Sequence, residues 1–170
     1  AEQRIGHLYP TIEITADMAK DRPDLKPLLG QQLTVIAWLW ARTIKCPNPA
    51  CGATMPLLSS FVLSSKKRAE TYVVPNVRGS GLSFDVSRVF PENLGDPAKG
   101  YKRGMSGIFE CAHCKDVTTR DYTAEQALKK GLGSIGTAII CEGRNGRIYL
   151  PTSYGQITQA IPDVDISGLD

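Results

Sequence analysis

The spacing of apolar positions predicts a chain made mostly of extended segments. Residues 32–42, Gln-Leu-Thr-Val-Ile-Ala-Trp-Leu-Trp-Ala-Arg, are rich in β-branched and aromatic side chains, which fit a largely buried strand that leads directly to Cys46. Three further extended runs follow at residues 57–63, 71–77 and 82–89, separated by the turn-like sequences Ser-Lys-Lys-Arg and Arg-Gly-Ser-Gly. The simplest arrangement of these three runs is a β-meander.

Helix-start signals predict two short helices. Near the N-terminus, Thr15 or Asp17 can cap a helix that runs through Lys20. Residues 123–126, Thr-Ala-Glu-Gln, match a capping box, in which the Thr hydroxyl and the Gln side chain satisfy free backbone donors of a helix start. We therefore predict a second short helix that ends at Lys130.

A loop and a hairpin are predicted in the remaining segments. Residues 91–104 hold Pro, Gly, Asn, Asp and Lys with little periodicity, which is typical of an exposed loop. Residues 137–142 and 147–150 flank an Asn-Gly dipeptide at 145–146, which can supply the positive φ angles of a tight hairpin turn. The tail from Ser153 carries no strong pattern.

The composition is that of an ordinary globular chain. Of the 170 residues, 42% are hydrophobic and 22% are charged, which argues against a disordered or fibrous chain. No apolar run approaches the roughly 18 residues that cross a bilayer, and no apolar signal region follows the N-terminus. We therefore expect a cytoplasmic protein. The net charge of +3 permits nucleic-acid contact without requiring it.

The five cysteines favour metal binding or redox chemistry over a disulfide framework, because no export signal is present. Four of them form two close pairs, Cys46 with Cys51 and Cys111 with Cys114. Zinc is a borderline-soft ion that binds four thiolates tetrahedrally, so that one ion can pin together two turns from distant segments. We therefore predict a closed, structural zinc site at these four residues.

The residues around each cysteine pair suit such turns. Pro47 and Pro49 restrict φ and pre-organise the first turn, while Gly52 lets the backbone pass close to a sulfur. The second pair has the common two-residue spacing but is followed by Lys115, where a glycine is expected. The 59 residues between the pairs exceed the connection of an ordinary ribbon, so we expect the meander to be inserted there.

Other interpretations of the cysteines and their neighbours stay open. Single cysteines are often buried apolar residues or redox thiols, although two close pairs make this a poor account of all four. Cys141 lies in the apolar run Ala-Ile-Ile-Cys, where a small buried hydrophobe is expected. His113 can replace a thiolate as a ligand, but an imidazole and a thiolate so close in sequence rarely face one ion together.

The sequence offers few signals for enzymatic chemistry. It contains no Gly-rich phosphate loop, no His-Glu pairing of metalloprotease type and no Ser nucleophile elbow. Basic residues cluster at residues 66–68 and again at residues 99–103 together with Tyr101. The predicted contacts to DNA phosphates are Lys66, Lys67, Arg68, Lys102 and Arg103. The alternative interpretation of each cluster is a group of solvated loop charges.

One segment carries a family resemblance. Residues 38–52, Trp-Leu-Trp-Ala-Arg-Thr-Ile-Lys-Cys-Pro-Asn-Pro-Ala-Cys-Gly, with Met-Pro-Leu at 55–57, resemble part of the large bacterial and archaeal adenine-specific DNA methylases found near anti-phage defence genes. Arg-Ile-Gly-His-Leu-Tyr-Pro at 4–10 and Gly-Arg-Ile-Tyr-Leu-Pro at 146–151 resemble its flanking landmarks. The resemblance covers most of the chain and is weakest at residues 78–105 and in the tail.

The resemblance implies an inserted zinc module and not a complete enzyme. In that family a half-domain that binds S-adenosylmethionine precedes such a segment, and an Asp-Pro-Pro-Tyr motif that presents the flipped adenine follows it. Neither occurs in this sequence, so no methyl transfer is expected of this chain alone. The family context implies that the module positions DNA or braces the two methylase halves. A zinc-stabilised module that binds a partner protein without touching nucleic acid is the alternative.

The predicted fold is an α+β, strand-rich, zinc-ribbon-like domain with short helices. We expect an N-terminal approach segment with a short helix at residues 1–31, the zinc-ribbon domain with its inserted β-meander at 32–151 and a C-terminal tail at 152–170. The expected cofactor is structural zinc, and S-adenosylmethionine belongs only to the presumed full-length parent. The expected partners are DNA and the remainder of the methylase.

Overall fold

The computed structural model of the chain describes residues 9–104, 107–129, 131–144 and 146–154. Within these ranges the backbone forms eight β-strands and one α-helix, which confirms the predicted strand-rich α+β class. The elements are β1 (Thr11–Glu13), β2 (Gln32–Lys45), β3 (Thr54–Pro56), β4 (Val62–Ser64), β5 (Thr71–Arg78), β6 (Gly81–Ser87), α1 (Arg120–Lys129), β7 (Gly133–Gly143) and β8 (Gly146–Leu150). No helix in these ranges has both the length and the apolar character needed to cross a membrane.

The first sheet is built around β2, the strand that was predicted at residues 32–42. Its strand order is β1-β2-β7-β8, and β3 pairs with the C-terminal end of β2, where Thr43 lies opposite Pro56. Strands β7 and β8 form the predicted hairpin, in which Gly143 lies opposite Gly146. Asn145, the first residue of the predicted Asn-Gly turn, lies outside the described residues. The end of β2 at Lys45 delivers the chain directly to Cys46.

A second, three-stranded sheet with the order β4-β5-β6 confirms the predicted meander. Strands β5 and β6 pair antiparallel from Tyr72 opposite Ser87 to Arg78 opposite Gly81. The first predicted run, residues 57–63, is a strand only in its last part. In the part before it, the Leu58 carbonyl accepts the N–H of Tyr101 at 2.8 Å and the Phe61 N–H donates to the Pro97 carbonyl at 2.7 Å, so these groups pair with the loop and not with β5.

The chain divides into two compact units, each with its own core. Unit 1 contains Ala1–Ala37 and Ile139–Asp170, and unit 2 contains Trp38–Ala138. The core of unit 1 buries aliphatic side chains such as Ile14, Leu25, Val35, Ile139 and Leu150. Unit 2 has one cluster around Phe61, Tyr101 and Ala112 and another around the cysteines. Both boundaries fall inside strands, and the domain division predicted from sequence stays a prediction.

The predicted N-terminal helix is a single turn. The N–H of Ala19 donates to the Thr15 carbonyl at 3.3 Å, and the Thr15 hydroxyl accepts the N–H of Met18 at 3.4 Å. Thr15 therefore caps the turn, but the turn does not continue into a helix. Pro23 disfavours helical backbone at the residue before it, which limits the segment to one turn.

Helix α1 begins three residues earlier than its predicted cap. Its N-cap is Thr119, whose hydroxyl accepts the N–H of Tyr122 at 3.1 Å. Thr123, the predicted cap, lies inside the helix and donates its hydroxyl to the Gly107 carbonyl at 2.8 Å. The capping-box prediction was wrong because a tertiary acceptor takes the Thr123 hydroxyl while Thr119 supplies the cap. Lys130, the predicted end, lies outside the described residues.

The loop predicted at residues 91–104 is exposed or half-buried except at two residues near its end. Gly100 and Tyr101 are both buried, and the Tyr101 ring packs edge-on against Phe61 with centroids 5.0 Å apart. The exposed-loop prediction was therefore wrong for these two residues. An aromatic ring in an otherwise polar segment packs into the core once the chain returns toward it.

Candidate metal centre

The first cysteine turn follows β2 without an intervening residue. The Cys46 N–H donates to the Ala53 carbonyl at 2.9 Å and closes the turn. Inside it, the N–H groups of Cys51 and Gly52 donate to the Asn48 carbonyl at 3.1 and 3.0 Å. Gly52 has a φ of 55°, as expected for a glycine that turns the backbone beside a sulfur.

The second turn closes in the same way although its cysteines are two residues closer in sequence. The Cys111 N–H donates to the Asp116 carbonyl at 2.8 Å, just as Cys46 donates to the residue two positions after Cys51. Lys115 occupies the position of Gly52 and has a φ of 68°. The sequence signal for a glycine at this position was therefore correct about the backbone, even though the residue is a lysine.

The four sulfur atoms converge on one point. The Sγ atoms of Cys46 and Cys114 lie 3.5 Å apart, and those of Cys51 and Cys111 lie 3.9 Å apart. All four lie within 4.8 Å of one another. A tetrahedral ion with metal–sulfur bonds of about 2.3 Å requires sulfur separations of about 3.8 Å. The arrangement therefore fits a four-thiolate metal site, and none of the four cysteines is in a disulfide.

The surroundings of the sulfurs exclude water from one side of the site. Cys111 is fully buried and Cys46 nearly so, and both pack with Ile44 and Met55. Tyr122 of α1 contacts the same cluster and donates its hydroxyl to the Lys45 carbonyl at 3.1 Å. Four protein ligands leave no open position for a substrate, so the geometry is that of a structural site.

The two turns also bind each other through polar side chains. The side-chain amide nitrogen of Asn48 donates to the Asp116 carboxylate at 2.6 Å. The side-chain oxygen Oδ1 of Asn48 accepts the N–H of Ala50 at 2.9 Å. Asn48 therefore organises its own turn and connects it to the second one. Neither residue was singled out in the sequence, because their pairing depends on the relative placement of two distant segments.

Backbone N–H groups point at three of the sulfurs. Asn48 donates to Cys46, Ala53 to Cys51 and Asp116 to Cys114. The bond from Ala53 lowers the pKa of Cys51 below its ordinary value. Burial, the largest influence, raises the pKa of Cys46 in spite of its backbone bond.

The pKa of Cys114 shows the effect of crowding the thiols. The N–H of Asp116 is the largest single influence and lowers the pKa of Cys114, but burial and the Cys51 and Cys111 thiols outweigh it, so the pKa is raised. Four thiolates at these distances repel one another, and a bound divalent cation reverses that balance. The donor set therefore suits a cation that binds with release of protons.

The remaining cysteine and the nearby histidine lie outside the cluster. Cys141 is buried in β7, as predicted for a small hydrophobe, and burial raises the pKa of its thiol to about 11. His113 places Nδ1 3.1 Å from the Gly79 carbonyl, at the turn between β5 and β6. His113 therefore contacts the meander, and the group of converging metal-ligand atoms consists of cysteines alone among the described residues.

The five predicted phosphate contacts have different environments. Lys66, Lys67 and Arg68 are exposed between β4 and β5. Arg103 donates to the Glu110 carboxylate at 2.9 Å and to the carbonyls of Gly100 and Lys102 at 3.1 and 3.0 Å, so much of its guanidinium is already engaged. Lys102 is half-buried beside it. The DNA contacts of all five residues stay predictions.

Arg88 is a basic residue that sequence reasoning missed. It follows β6, and its guanidinium donates to the Arg68 carbonyl at 2.6 Å. The structure therefore adds a fourth positive charge to the end of the meander that carries Lys66, Lys67 and Arg68. The register of β5 against β6 brings Arg88 there, and a single sequence does not disclose that register.

No protein-family model matches the chain, and no curated protein or solved structure matches it either. The fold and the site together define a strand-rich α+β protein with four clustered cysteines that can hold a metal ion.

Proposed function

We propose that Cys46, Cys51, Cys111 and Cys114 bind one structural zinc ion, and that the chain is the zinc-stabilised part of an adenine-specific DNA methylase that positions DNA. The observation that carries the metal proposal is the convergence of four sulfurs at separations close to those of a tetrahedral site. Zinc bound there would cross-link the end of β2 to the segment before α1. The site supports folding and takes no part in catalysis.

The uneven distribution of charge supports the DNA part of the proposal. Unit 2 carries 14 lysines and arginines against 8 aspartates and glutamates, a formal charge of +6, whereas unit 1 carries 6 against 9, a charge of −3. The modest net charge of the chain hides this contrast. A basic unit that also holds the cysteine site is suited to contact phosphates, which supply most of the affinity in nucleic-acid binding.

The methylase part of the proposal rests on the resemblance of residues 38–52 and 55–57 to that family. The chain contains no cofactor loop and no Asp-Pro-Pro-Tyr motif, so its proposed role is positioning DNA or bracing the enzyme halves. Incubated with S-adenosylmethionine and adenine-containing DNA, the chain alone should transfer no methyl group. Reproducible methylation would overturn the proposal that this chain positions DNA without carrying out catalysis.

Metal analysis tests the zinc proposal. Native mass spectrometry of the full chain should show about one zinc per chain, and elemental analysis should separate zinc from iron, the other metal that takes four thiolates tetrahedrally. Cys111→Ser should lose the metal because it removes a fully buried ligand. Cys141→Ser is the matched control and should keep it, because Cys141 lies outside the cluster. Metal loss in the control, or full zinc in Cys111→Ser, contradicts the ligand assignment.

Charge reversal tests the DNA proposal. Replacing Lys66 and Lys67 with Glu should weaken binding to a mixed-sequence duplex at low salt and lower the salt slope by about two units, because each lost phosphate contact removes about one. Lys20→Glu with Lys26→Glu makes the same change in net charge on exposed residues of unit 1 and serves as the control. Unchanged affinity, or an equal loss in the control, would remove the phosphate role and leave the bracing role.

A protein-binding role is a second candidate, favoured by exposed apolar side chains of unit 2. Leu128 on α1 is 87% exposed and Val89 after β6 is 75% exposed. Binding through such side chains depends little on ionic strength, whereas phosphate contacts weaken steeply as salt rises. A salt titration of partner binding therefore distinguishes the two candidates.

A further inference from the structure

The two tryptophans of the chain lie on one face of β2. Trp38, Trp40 and Arg42 alternate along the strand with Leu39 and Ala41, so their side chains share a face. Ala41 is only 3% exposed and points to the opposite, buried face. Trp40 is 46% exposed, and Arg42 is also exposed.

Trp40 is unusual among the aromatic side chains of unit 2. Phe61, Phe84 and Tyr101 are buried, and Trp40 is the exposed large aromatic residue in the described part of this unit. Single exposed apolar residues are common on proteins, so the exposure alone does not indicate a ligand. The second observation is the charge beside it.

Arg42 supplies that charge two positions further along the same face. Its side chain makes no ion pair or hydrogen bond with any residue that the structure describes, in contrast to Arg103 with its Glu110 partner. The backbone carbonyl of Arg42 accepts the N–H of Leu57 at 2.7 Å, so the strand position is fixed while the guanidinium stays available. The surrounding unit carries a formal charge of +6.

We propose that Trp40 and Arg42 form a stacking site for an unpaired base of DNA. The indole face would stack on the base, and the guanidinium would contact the adjoining phosphate. Aromatic stacking combined with basic contacts to the backbone is the general means of holding single-stranded nucleic acid. The positive charge of Arg42 and of the whole unit favours this polyanion over an apolar protein surface. The proposal rests on the proposed DNA-binding function and specifies that this face binds an unpaired base and its phosphate.

Tryptophan fluorescence gives a direct test, because Trp38 and Trp40 are the only two tryptophans. In the full chain with Trp38→Phe, the remaining signal comes from Trp40 alone. Oligothymidylate of about ten nucleotides, within the usual site size for single strands, should quench that signal on binding at low salt. The reciprocal variant Trp40→Phe should show much weaker quenching. Unchanged Trp40 fluorescence at saturating oligonucleotide would overturn the proposal.

Affinity measurements give a second, independent readout. Trp40→Ala should weaken oligothymidylate binding roughly 10-fold, and Trp40→Phe should weaken it less because a ring is retained. Leu128→Ala, which also removes an exposed apolar side chain from unit 2, is the control and should bind normally. Arg42→Gln should preserve quenching and lower the salt slope by about one unit. Zinc content and circular dichroism establish that each variant is folded.

The outcomes separate this inference from the proposed function. If substitution of Lys66 and Lys67 weakens duplex binding while substitution of Trp40 leaves oligothymidylate binding unchanged, the stacking site is wrong and the DNA-binding function stands. If substitution of Lys66 and Lys67 leaves duplex affinity unchanged, the proposed phosphate role is wrong, regardless of the result for Trp40. If Trp40→Ala leaves DNA binding intact but abolishes association with the remainder of a methylase, the face binds protein and the stacking proposal is overturned.

Discussion

At the scale of single residues, the two cysteine turns depend on positive φ angles. Gly52 and Lys115 occupy the same position after the second cysteine of each turn, with φ angles of 55° and 68°. A Cβ makes this conformation unfavourable by roughly 1 to 2 kcal/mol. Lys115 offsets part of that through its Nζ, which donates to the Ala112 carbonyl at 3.3 Å and lies 4.0 Å from the Glu110 carboxylate.

Substitutions at these two positions should therefore have opposite effects on stability. A Cβ at Gly52 meets no atom within 4 Å, so Gly52→Ala should destabilise the zinc-loaded chain by about 1 kcal/mol through backbone conformation alone. Lys115→Gly relieves the positive φ but adds entropy to the unfolded chain, so a gain below about 1 kcal/mol is expected. Urea unfolding measures both, and equal destabilisation by the two changes would show that the turns are not equivalent.

At the scale of elements, the loop between β6 and the second turn is held by backbone hydrogen bonds to a neighbouring segment. The Phe61 N–H donates to the Pro97 carbonyl at 2.7 Å, and the Tyr101 N–H donates to the Leu58 carbonyl at 2.8 Å. Gly100 lies between these contacts with a φ of 52°, where an added Cβ would be 2.5 Å from the Leu58 carbonyl oxygen. The close approach of two backbones explains why this position is a glycine.

A matched pair of glycines in that loop tests the contact. Gly100→Ala should destabilise unit 2 by about 2 to 5 kcal/mol, because it adds a backbone clash to the strain of a positive φ. Gly104→Ala also has a positive φ, 61°, but no atom lies within 4 Å of the added Cβ, so about 1 kcal/mol is expected. Thermal unfolding of both variants measures the difference. Equal destabilisation would mean that the loop moves away from Leu58 without loss.

The features that could be predicted from the sequence are those that depend only on residues close together in the chain. The composition of β2 and the spacing of the cysteine pairs are local features, and the structure has both the strand and the clustered sulfurs. The choice of Thr119 over Thr123 as the cap of α1 was missed because the Thr123 hydroxyl has a tertiary acceptor. The burial of Tyr101 was missed because it depends on the loop packing against the distant segment that contains Leu58 and Phe61.

At the scale of the whole molecule, the unit boundaries inside β2 and β7 had no sequence signal, since each strand is locally uniform. The same holds for the division of charge between the units, which becomes visible only when their residues are known. Cys141 lies in the part of β7 that belongs to unit 1, and its thiol is fully buried there. Ionisation of this thiol should therefore affect the stability of unit 1.

The raised pKa of Cys141 predicts a loss of stability at alkaline pH. The thiol titrates near 9.0 when unfolded and at about 11 in the native protein, so below pH 9 both states keep the proton and the residue adds no pH dependence. Between pH 9 and 11 only the unfolded state loses it, which lowers the free energy of unfolding by about 2 to 3 kcal/mol in total.

Comparison with Cys141→Ala isolates this contribution. The variant should be less stable than the wild type at neutral pH because a cavity replaces the sulfur, but the difference between the two should shrink as pH rises from 9 to 11. Urea unfolding across this range measures both chains. A difference that stays constant with pH would show that the Cys141 thiol does not titrate as its burial requires.

The position of the unit boundaries has a consequence for how such a chain can arise in evolution. Unit 2 begins within β2 and ends within β7, and these two strands are neighbours in the sheet order. A segment whose two ends lie side by side can be gained or lost in one genetic event without separating the strands that carry it. The basic, cysteine-bearing unit therefore meets the geometric condition for insertion as one piece, and a chain without it would need only a short turn to join β2 to β7.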